Sequence, residues 1–303
     1  MRNKQINVSV IVPCYNAKYF LAHSLPAIRK SDYPYYELIV VDDNSTDGSE
    51  RFAKKYADKV IKMRSNGAPG KARNTGAQAS QGSILFFVDA DVQIASDSIS
   101  GVVKTMIENP EIGAVFGSYD EKPYYKNFCS QYKNLFHHFV HQNASPDAST
   151  FWAGCGAIKK ELFLEAGGFP EIYSTPSIED VELGYKLKEK GIKVRLLKEL
   201  QVTHFKKWSF FNLIKTDIVR RALPWAKLAF DKGLPKDLNF KLSDRISGLI
   251  SCLFFLCLIL IWLWFPVMFV SVVLAGILFY ANRKLYKFFL EKRVKGGINC
   301  VKF

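Results

Sequence analysis

The sequence lacks several features that would place it in common protein classes. Its six cysteines show no Cys-x-x-Cys spacing, which argues against a zinc site or a disulfide framework. No apolar leader with a cleavage site opens the chain, because MRNKQINVSVIVP runs directly into a strand pattern. Internal repeats and low-complexity segments are also missing. We therefore expect free thiols and a cytoplasmic N-terminal part.

Charged residues are missing from the whole of residues 246–281, whereas both flanks are basic. The chain has a formal net charge of +14, with ten Lys/Arg against four Asp at 204–245 and seven Lys/Arg against one Glu at 282–303. A basic excess predicts a polyanionic partner, such as nucleic acid, an anionic membrane or a phosphorylated substrate. Because the excess brackets an apolar stretch, it favours anionic membrane lipids and argues against nucleic acid.

This uncharged stretch is 36 residues long. One membrane-spanning helix needs about 20 residues, so the stretch is too long for one upright span and slightly short for two. Basic flanks prefer the cytoplasmic side, and a hairpin that turns near Trp264 to Pro266 keeps both there. We predict two short spans. A re-entrant or interfacial hairpin and one long tilted helix are the alternatives, while a buried helix pair in a soluble protein is disfavoured by the missing polar face.

Short apolar runs alternate with amphipathic stretches in the first ninety residues. The pattern predicts strands at 8–13, 37–41, 59–63 and 84–88, and helices at 18–30, 47–57 and 70–80. Such alternation is typical of parallel strands joined by crossover helices. We therefore expect an α/β fold with a mostly parallel central sheet and helices on both faces.

Polar clusters follow three of these strands at the edge where ligands bind in such sheets. They are PCYN at 13–16, DDNSTDG at 42–48 and DAD at 89–91. Turn chemistry explains one such cluster, but three on one edge, with five aspartates among them, indicate a site. Clustered carboxylates repel each other, so a site that keeps them needs a cation or a proton. Mg²⁺ and Mn²⁺ take oxygen ligands and often share them with substrate phosphates.

Two further groups of charged residues are candidates for this site. Lys71 and Arg73 open the third predicted helix, whose N-terminus favours anions, although a solvated helix face is the alternative for both. Glu179 and Asp180 begin a predicted helix at 178–190. The helix dipole favours carboxylates in a first turn, so capping is the alternative to a catalytic role for this pair.

An ordered series of segments carries a family resemblance. VSVIVPCYN, ELIVVDDNSTDGS, GKARNTGAQASQGSILFFVDADV, GCGAIKKELFLEAGGF and SIEDVELGYKLKEKG follow one another over residues 8–204. In order and spacing this series resembles the family 2 glycosyltransferases, which are inverting enzymes of the GT-A fold. The resemblance implies a GT-A-like nucleotide-sugar glycosyltransferase domain at 1–205. A basic, aromatic interfacial segment (206–245), the membrane hairpin (246–281) and a basic cytoplasmic tail (282–303) would follow, with truncation of the tail an open alternative.

The resemblance also implies roles for individual residues. Asp180 would be the general base that deprotonates an acceptor hydroxyl. Asp91, Asp89 and His204 would hold Mg²⁺ or Mn²⁺. Tyr15 and Asp43 would contact the nucleotide base, with Pro13 shaping that pocket. The full set implied to bind the nucleotide sugar is Pro13, Tyr15, Asn16, Asp43, Lys71, Arg73, Asp89, Asp91 and Glu179.

The implied reaction moves a sugar from a nucleoside-diphosphate sugar, first of all a UDP-sugar, to a lipid-linked or cell-envelope glycan acceptor. Processive members carry Gln-x-x-Arg-Trp, but Arg221 and Trp225 are too far apart to match it, so we expect a non-processive enzyme. A membrane-attached, non-catalytic nucleotide-sugar-binding protein is the alternative. A nucleotidyltransferase would show a Gly- and Arg-rich loop near the first strand, which PCYN is not. The expected location is the inner or plasma membrane, with the catalytic domain in the cytoplasm.

Two remaining patterns have alternative interpretations. A basic cluster would hold a lipid phosphate or bind anionic head groups, and it consists of Lys206, Lys207, Arg220 and Arg221. Aromatic residues among these cations are interpreted as interfacial anchors, namely Trp208, Phe210, Phe211 and Trp225. His137 and His141 have zinc-like spacing but no third ligand, so helix packing or lining of the acceptor side is predicted for them.

Overall fold

The computed structural model describes residues 6–232, 242–261 and 265–295. The chain divides into two compact units, Met1–Asp231 and Lys232–Phe303. The first unit extends past the predicted boundary at 205 and takes in most of the predicted interfacial segment. Trp264 of the predicted membrane turn, residues 233–241 of the interfacial segment and the final GGINCVKF lie outside the described residues.

One mixed sheet forms the centre of the first unit. Its strands are β1 Val8–Cys14, β2 Tyr36–Asp42, β3 Lys59–Lys62, β4 Ile84–Val88, β5 Val92–Gln93, β6 Ile112–Tyr119, β7 Asp147–Ala148, β8 Cys155–Lys159 and β9 Lys193–His204. They lie in the order β3-β2-β1-β4-β8-β6-β9-β5, and β7 also pairs with β9.

Strand direction agrees with the prediction throughout one half of the sheet and only in part in the other. β3, β2, β1 and β4 are all parallel. β8, however, runs antiparallel to both β4 and β6, and β5 and β7 run antiparallel to β9. β6 and β9, in contrast, are parallel to each other. The sheet is therefore mixed, and the prediction of a mostly parallel sheet is wrong only for the pairings of β5, β7 and β8. Beyond Val88, long connections and two-residue strands replace the regular strand–helix alternation, so the apolar pattern carried no information on strand direction there.

Helices cover both faces of the parallel half, as predicted. The helices of the first unit are α1 Lys18–Arg29, α2 Ser49–Ala53, α3 Ala68–Ala79, α4 Ser98–Glu108, α5 Phe128–Gln142, α6 Lys160–Glu165, α7 Glu179–Glu189, α8 Phe210–Lys215 and α9 Leu223–Lys232. A π-helical segment, Thr216–Ala222, joins α8 to α9. Leu21 of α1 shares a core with Val10, whereas Gly76 of α3 packs on the neighbouring Ile11, where an added Cβ would lie 2.5 Å from a methyl group.

The second unit contains three described helices, α10 Leu242–Leu260, α11 Val267–Ala281 and α12 Arg283–Lys295. α10 and α11 contact each other, and both expose large apolar side chains. Within the described ranges, no single helix combines the length and the apolar character that a membrane crossing requires. α11 together with Arg283–Lys292, bent by 64°, meets both requirements as a pair. This pair supports a membrane hairpin only weakly and differs from the predicted pairing of α10 with α11.

Candidate active site

The carboxyl ends of β1, β2 and β4 lie side by side, since β1 pairs with the other two. The loops that follow β1 and β2 are joined by hydrogen bonds. Oδ1 of Asn16 accepts from the backbone N–H of Thr46 at 2.9 Å, and the backbone N–H of Asn16 donates to Oγ of Ser45 at 2.9 Å. Asn16 thus lies at the predicted edge, with its side-chain oxygen bonded to the neighbouring loop.

Two of the five aspartates, Asp42 and Asp47, accept hydrogen bonds from backbone N–H groups of the turns. Oδ2 of Asp42 accepts from the backbone N–H of Ser45 at 3.1 Å. Asp47 accepts from the N–H of Ser49 at 2.9 Å and from that of Lys18 at 3.0 Å. Asp47 therefore satisfies free N–H groups at the starts of both α1 and α2. This bonding explains why α2 begins at Ser49 and not at the predicted residue 47.

Asp43 faces α3. Its Oδ1 accepts a hydrogen bond from the N–H of Gly67 at 2.7 Å, and the residue is buried. Burial raises the pKa of Asp43, although hydrogen bonds from the N–H groups of Gly67 and Ala68 and the charge of Lys71 oppose the rise. Lys71 itself is exposed. Tyr15, which is 54% exposed, follows β1 at the same edge.

Arg73 of α3 bridges two carboxylates that lie far apart in the sequence. Its Nη2 lies 2.6 Å from Oδ1 of Asp89, and its Nη1 lies 3.2 Å from Oε1 of Glu179. Its Cζ lies 5.4 Å from the ring centroid of Phe169. Burial disfavours the charge of Arg73, but Asp89 and Glu179 outweigh it and raise the pKa of the guanidinium. The solvated-face alternative does not hold for Arg73, which is 5% exposed.

The turn after β4 gives its two carboxylates different surroundings. Burial and the nearby charge of Asp91 raise the pKa of Asp89, against the opposing effect of Arg73. Oδ2 of Asp91 lies 3.4 Å from Nε2 of His204. Burial opposes ionisation of Asp91 as well, but His204 and Lys206 hold its pKa below the ordinary value. Asp91 is therefore the carboxylate that stays ionised most readily at this turn.

The residues around Asp91 fit a divalent cation that shares its ligands with a phosphate. Asp91 and His204 offer an oxygen and a nitrogen ligand close together, and Asp89 lies on the same turn. Cations of this kind are often bound by one or two carboxylates together with substrate phosphates. Over the described ranges, no group of three or more His, Cys, Asp or Glu side chains is placed to hold a metal ion. The arrangement accordingly suits a site completed by the substrate.

Asp180 is the candidate general base. It lies in the first turn of α7, and its Oδ2 accepts from the N–H of Ala153 at 3.4 Å. Burial and the neighbouring Glu179 raise its pKa to about 6. A base with a pKa near the working pH is the most effective in proton transfer. Glu179 instead accepts from the N–H of Ser177 at 2.9 Å and from Arg73, so it ties the start of α7 to α3.

Two aromatic residues of the site are missing from the sequence-based prediction. Tyr119 ends β6 and stacks on His204, with ring centroids 4.4 Å apart and planes at 9°. Trp152 meets Tyr119 edge-on at 5.0 Å and directly precedes Ala153, which donates to Asp180. Burial raises the pKa of Tyr119 well above its ordinary value, so the phenol keeps its proton. The apolar run IGAVF at 112–116 was the available signal for β6 and for the residue at its end.

His137 and His141 line the same region from α5. Their ring centroids are 4.0 Å apart, and that of His137 lies 4.9 Å from Trp152. Nδ1 of His141 lies 3.1 Å from the carbonyl oxygen of Gly117. Burial lowers the pKa of His141 to about 4 and that of His137 well below its ordinary value, so both imidazoles are neutral. These contacts support helix packing and lining as the role of the pair.

Two residues of the predicted basic cluster, Arg221 and Lys206, act electrostatically on residues of the candidate site. The charge of Arg221 acts on Asp180 and Tyr119, and that of Lys206 acts on Asp91. Trp208, which was predicted to be an interfacial anchor, is instead buried at 4% exposure. Its backbone N–H donates to Oγ of Ser130 in α5 at 2.8 Å. Exposed aromatic surface remains nearby, on Phe210 and Phe211 of α8.

Comparison with known proteins establishes the family. The model described as "Glycosyl transferase family 2" matches residues 9–167, more than half of the chain. The chain belongs to glycosyltransferase family 2. The resemblance inferred from the ordered segments is thus confirmed.

Individual relatives match parts of the chain. The poly(ribitol-phosphate) β-N-acetylglucosaminyltransferase TarS of Staphylococcus aureus is 37% identical over 98 residues, 30% of this chain and 17% of TarS. The UDP-Glc:α-D-GlcNAc-diphosphoundecaprenol β-1,3-glucosyltransferase WfgD of Escherichia coli is 32% identical over 117 residues, 37% of this chain and 46% of WfgD. The chain thus matches less than half the length of these relatives.

Solved structures show the same fold. TarS 1–349 in complex with UDP-GlcNAc superposes with a TM-score of 0.55 at 21% identity, covering 67% of this chain and 60% of that chain. The mannosyltransferase PcManGT from Pyrobaculum calidifontis, in complex with GDP-Man and Mn²⁺, gives a TM-score of 0.58 at 20% identity and covers 93% of this chain and 87% of that chain. The predicted GT-A-like α/β fold is confirmed, with a mixed central sheet.

Proposed function

We propose that this protein transfers a sugar from a nucleoside-diphosphate sugar to a lipid-linked or cell-envelope glycan acceptor. One observation carries the proposal. The guanidinium of Arg73 binds Asp89 and Glu179 at the same time, so the Asp-x-Asp turn and the helix that bears Asp180 meet at one place. The site for the leaving group and the candidate base therefore lie next to each other. A single displacement at a sugar carbon requires this arrangement.

The donor is proposed to be a UDP-sugar. Tyr15 and Asp43 stand at the end of β1 and β2, where the nucleotide base would bind, and Lys71 adds a cation close to Asp43. The TarS structure holds UDP-GlcNAc and the PcManGT structure holds GDP-Man with Mn²⁺. These complexes support a nucleoside-diphosphate sugar together with a divalent metal ion, Mg²⁺ or Mn²⁺. A GDP-sugar is the second donor class to test.

The residues of the chain divide the work of the reaction. Asp180 accepts the proton of an acceptor hydroxyl, and the hydroxyl oxygen forms a bond to the anomeric carbon. The bond from that carbon to the diphosphate breaks, and its electron pair leaves with the nucleoside diphosphate. One displacement of this kind inverts the anomeric carbon through an oxocarbenium-like transition state. A divalent ion held by Asp91, His204 and Asp89 would neutralise charge on the leaving group.

The acceptor and the location are proposed from the relatives and from the surface. TarS acts on poly(ribitol-phosphate), and WfgD acts on a sugar linked to diphosphoundecaprenol. The apolar side chains exposed on α10 and α11 support membrane attachment, because such surface is costly in water. We therefore place the enzyme at the inner or plasma membrane, bound to anionic lipids, with its catalytic domain in the cytoplasm and without a nucleic-acid partner. The missing Gln-x-x-Arg-Trp pattern supports non-processive transfer.

The test is a donor panel with matched variants. Detergent-purified protein is incubated with UDP- and GDP-sugars, with and without Mn²⁺ or Mg²⁺, and binding and hydrolysis are measured. Asp91→Asn should lose metal-dependent donor binding, whereas Asp180→Asn should bind the donor and fail to hydrolyse it. Asp32→Asn removes an exposed carboxylate of the α1–β2 loop and serves as the control. If the wild type binds no donor with either metal, the proposed function is wrong.

A further inference from the structure

The π-helical segment Thr216–Ala222 is held beside the candidate active site at two points. Near its start, Oδ1 of Asp217 lies 2.5 Å from Nζ of Lys133 in α5. Near its end, the carbonyl oxygen of Arg220 accepts a hydrogen bond from Oγ of Ser177 at 2.8 Å. Ser177 lies two residues before α7, whose first turn carries Asp180. π-Helical turns are rare and are frequent at functional sites.

The residues that follow the π-helical segment also pack against α7. Nε1 of Trp225 donates to the hydroxyl of Tyr185 in α7 at 3.4 Å. Leu228 of α9 shares a small apolar core with Ile178 and Tyr185. The chain on both sides of Arg221 is therefore tied to the helix that bears the candidate base.

Arg221 places an unpaired positive charge in this position. Its side chain is exposed, and no carboxylate in the described part of the chain forms an ion pair with it. Burial and Glu179 raise the pKa of Asp180, and the positive charge of Arg221 opposes this rise. This charge also acts on Tyr119 and on His137. The hydrogen bond from Ser177 to Arg220 and the packing of Trp225 and Leu228 on α7 place the backbone of Arg221 beside the first turn of that helix, and these charge effects agree with that position.

Two other cations of the site are already paired with carboxylates. Arg73 is bonded at both terminal nitrogens, to Asp89 and to Glu179. Lys133 is paired with Asp217. A buried guanidinium between two carboxylates offers little net charge to an anion, whereas an unpaired one can bind a phosphate through two parallel hydrogen bonds.

We propose that Arg221 binds a phosphate group of a substrate next to Asp180. This inference rests on the proposed function, because a nucleotide-sugar donor carries a diphosphate and a lipid-linked acceptor carries phosphate beside its sugar. The ligand chemistry is the same in both cases, namely a phosphate dianion or diphosphate at the mouth of the site. The role differs from membrane binding, which depends on the whole basic surface and not on one guanidinium.

The experiment compares three variants of the full chain in detergent. Arg221→Gln removes the charge, Arg221→Lys keeps it without the fork geometry, and Lys215→Gln removes an exposed charge from the preceding helix α8 as a matched control. Calorimetry measures binding of UDP and of GDP with Mn²⁺ in one arm and of farnesyl diphosphate micelles in the other. Thermal unfolding of each variant confirms that the fold is kept.

A donor phosphate predicts that Arg221→Gln weakens UDP or GDP binding about tenfold or more, with Arg221→Lys intermediate and Lys215→Gln within about twofold of the wild type. An acceptor phosphate predicts the same order for farnesyl diphosphate with nucleotide binding unchanged. If Arg221→Gln matches Lys215→Gln in both arms, the inference is overturned while donor binding by the wild type leaves the proposed function standing. If the wild type binds farnesyl diphosphate through Arg221 but binds no nucleotide, the proposed function is wrong and the phosphate-binding role of Arg221 still stands. A wild type that binds neither probe overturns both.

Discussion

The guanidinium of Arg73 lies 3.2 Å from the carboxylate of Glu179, and the two side chains are 6% and 7% exposed. The other end of the same guanidinium binds Asp89 at 2.6 Å. Charges this deeply buried need partners, because an isolated ion in the protein interior is strongly disfavoured. One cation thus satisfies the buried acid of α7 and fixes the Asp-x-Asp turn beside it.

Removing Arg73 should destabilise the fold and also abolish activity. Arg73→Met leaves Glu179 buried without a counter-charge, and breaking a buried pair in this way costs about 3–5 kcal/mol of unfolding free energy. Denaturant unfolding of the detergent-solubilised protein measures the loss. The double variant Arg73→Met/Glu179→Met should recover most of the stability and none of the activity. A loss below about 1 kcal/mol in the single variant would show that the pair is unimportant for the fold.

Activity should depend on the ionisation of Asp180. The carboxylate must be deprotonated to accept a proton, and its pKa is raised to about 6. We therefore expect kcat/KM to be constant above that pH and to fall about tenfold per pH unit below it. A pH profile with the donor and acceptor at low concentration measures this limb. The residual rate of Asp180→Asn should lack the limb, and a wild-type profile that is flat from pH 5 to 7 contradicts the assignment.

Asp180 should also lower the stability of the fold at neutral pH. Its pKa in the folded protein, about 6, is higher than its ordinary value of 3.8, so the folded state binds this proton more tightly than the unfolded state. The stabilising effect of protonation appears as the pH falls through 6 and is complete below the unfolded pKa. Asp180→Asn should therefore raise the unfolding free energy at pH 8 by about 1–3 kcal/mol. The gain should vanish near pH 4, and an equal gain at both pH values would refute the linkage.

The sequence is most informative where a strand is buried on both faces. β4 has the predicted bounds, Ile84 to Val88, because its five side chains are all apolar and buried, as is typical of a strand covered on both faces. The position of Asp89 and Asp91 follows from the end of that strand. Family membership also followed from the sequence, because it depends on the order of several motifs and not on one.

Contacts between residues that lie far apart in the chain could not be predicted from the sequence. Arg73 is 16 residues from Asp89 and 106 residues from Glu179, and no periodic pattern relates positions so far apart. β5 and β7 contain two residues each, which is too short to leave an alternating pattern. The proximity of Arg221 to Asp180 likewise depends on how a π-helical segment packs on α7, so the basic cluster was interpreted as a membrane-facing surface.

Two helical glycines should respond oppositely to alanine. A Cβ at Gly184 of α7 would lie 2.4 Å from Cα of Thr150, and backbone atoms cannot move aside easily. Gly184→Ala should therefore destabilise the protein by about 1–3 kcal/mol and displace the helix that carries Asp180. A Cβ at Gly101 of α4 meets nothing within 4 Å, so Gly101→Ala should stabilise by up to about 1 kcal/mol through helix propensity. Unfolding midpoints measure both, and changes of the same sign would contradict the packing of α7.

His204 should contribute to metal binding more than to the fold. Its Nε2 lies 3.4 Å from Oδ2 of Asp91, while its ring is held by stacking on Tyr119. Loss of one imidazole ligand leaves a carboxylate and phosphate oxygens, so His204→Gln should weaken Mn²⁺ binding in the presence of UDP by roughly 10–100-fold, the range seen when metal-site partners are removed. His23→Gln is the control, because that imidazole also stacks on a ring, that of Phe205, and it is not one of the proposed metal ligands. Titration of free Mn²⁺ by its paramagnetic resonance signal gives both affinities. If the two variants bind Mn²⁺ with equal affinity, the aspartates alone hold the metal. Chelation of the metal should then abolish donor binding by both variants to the same extent.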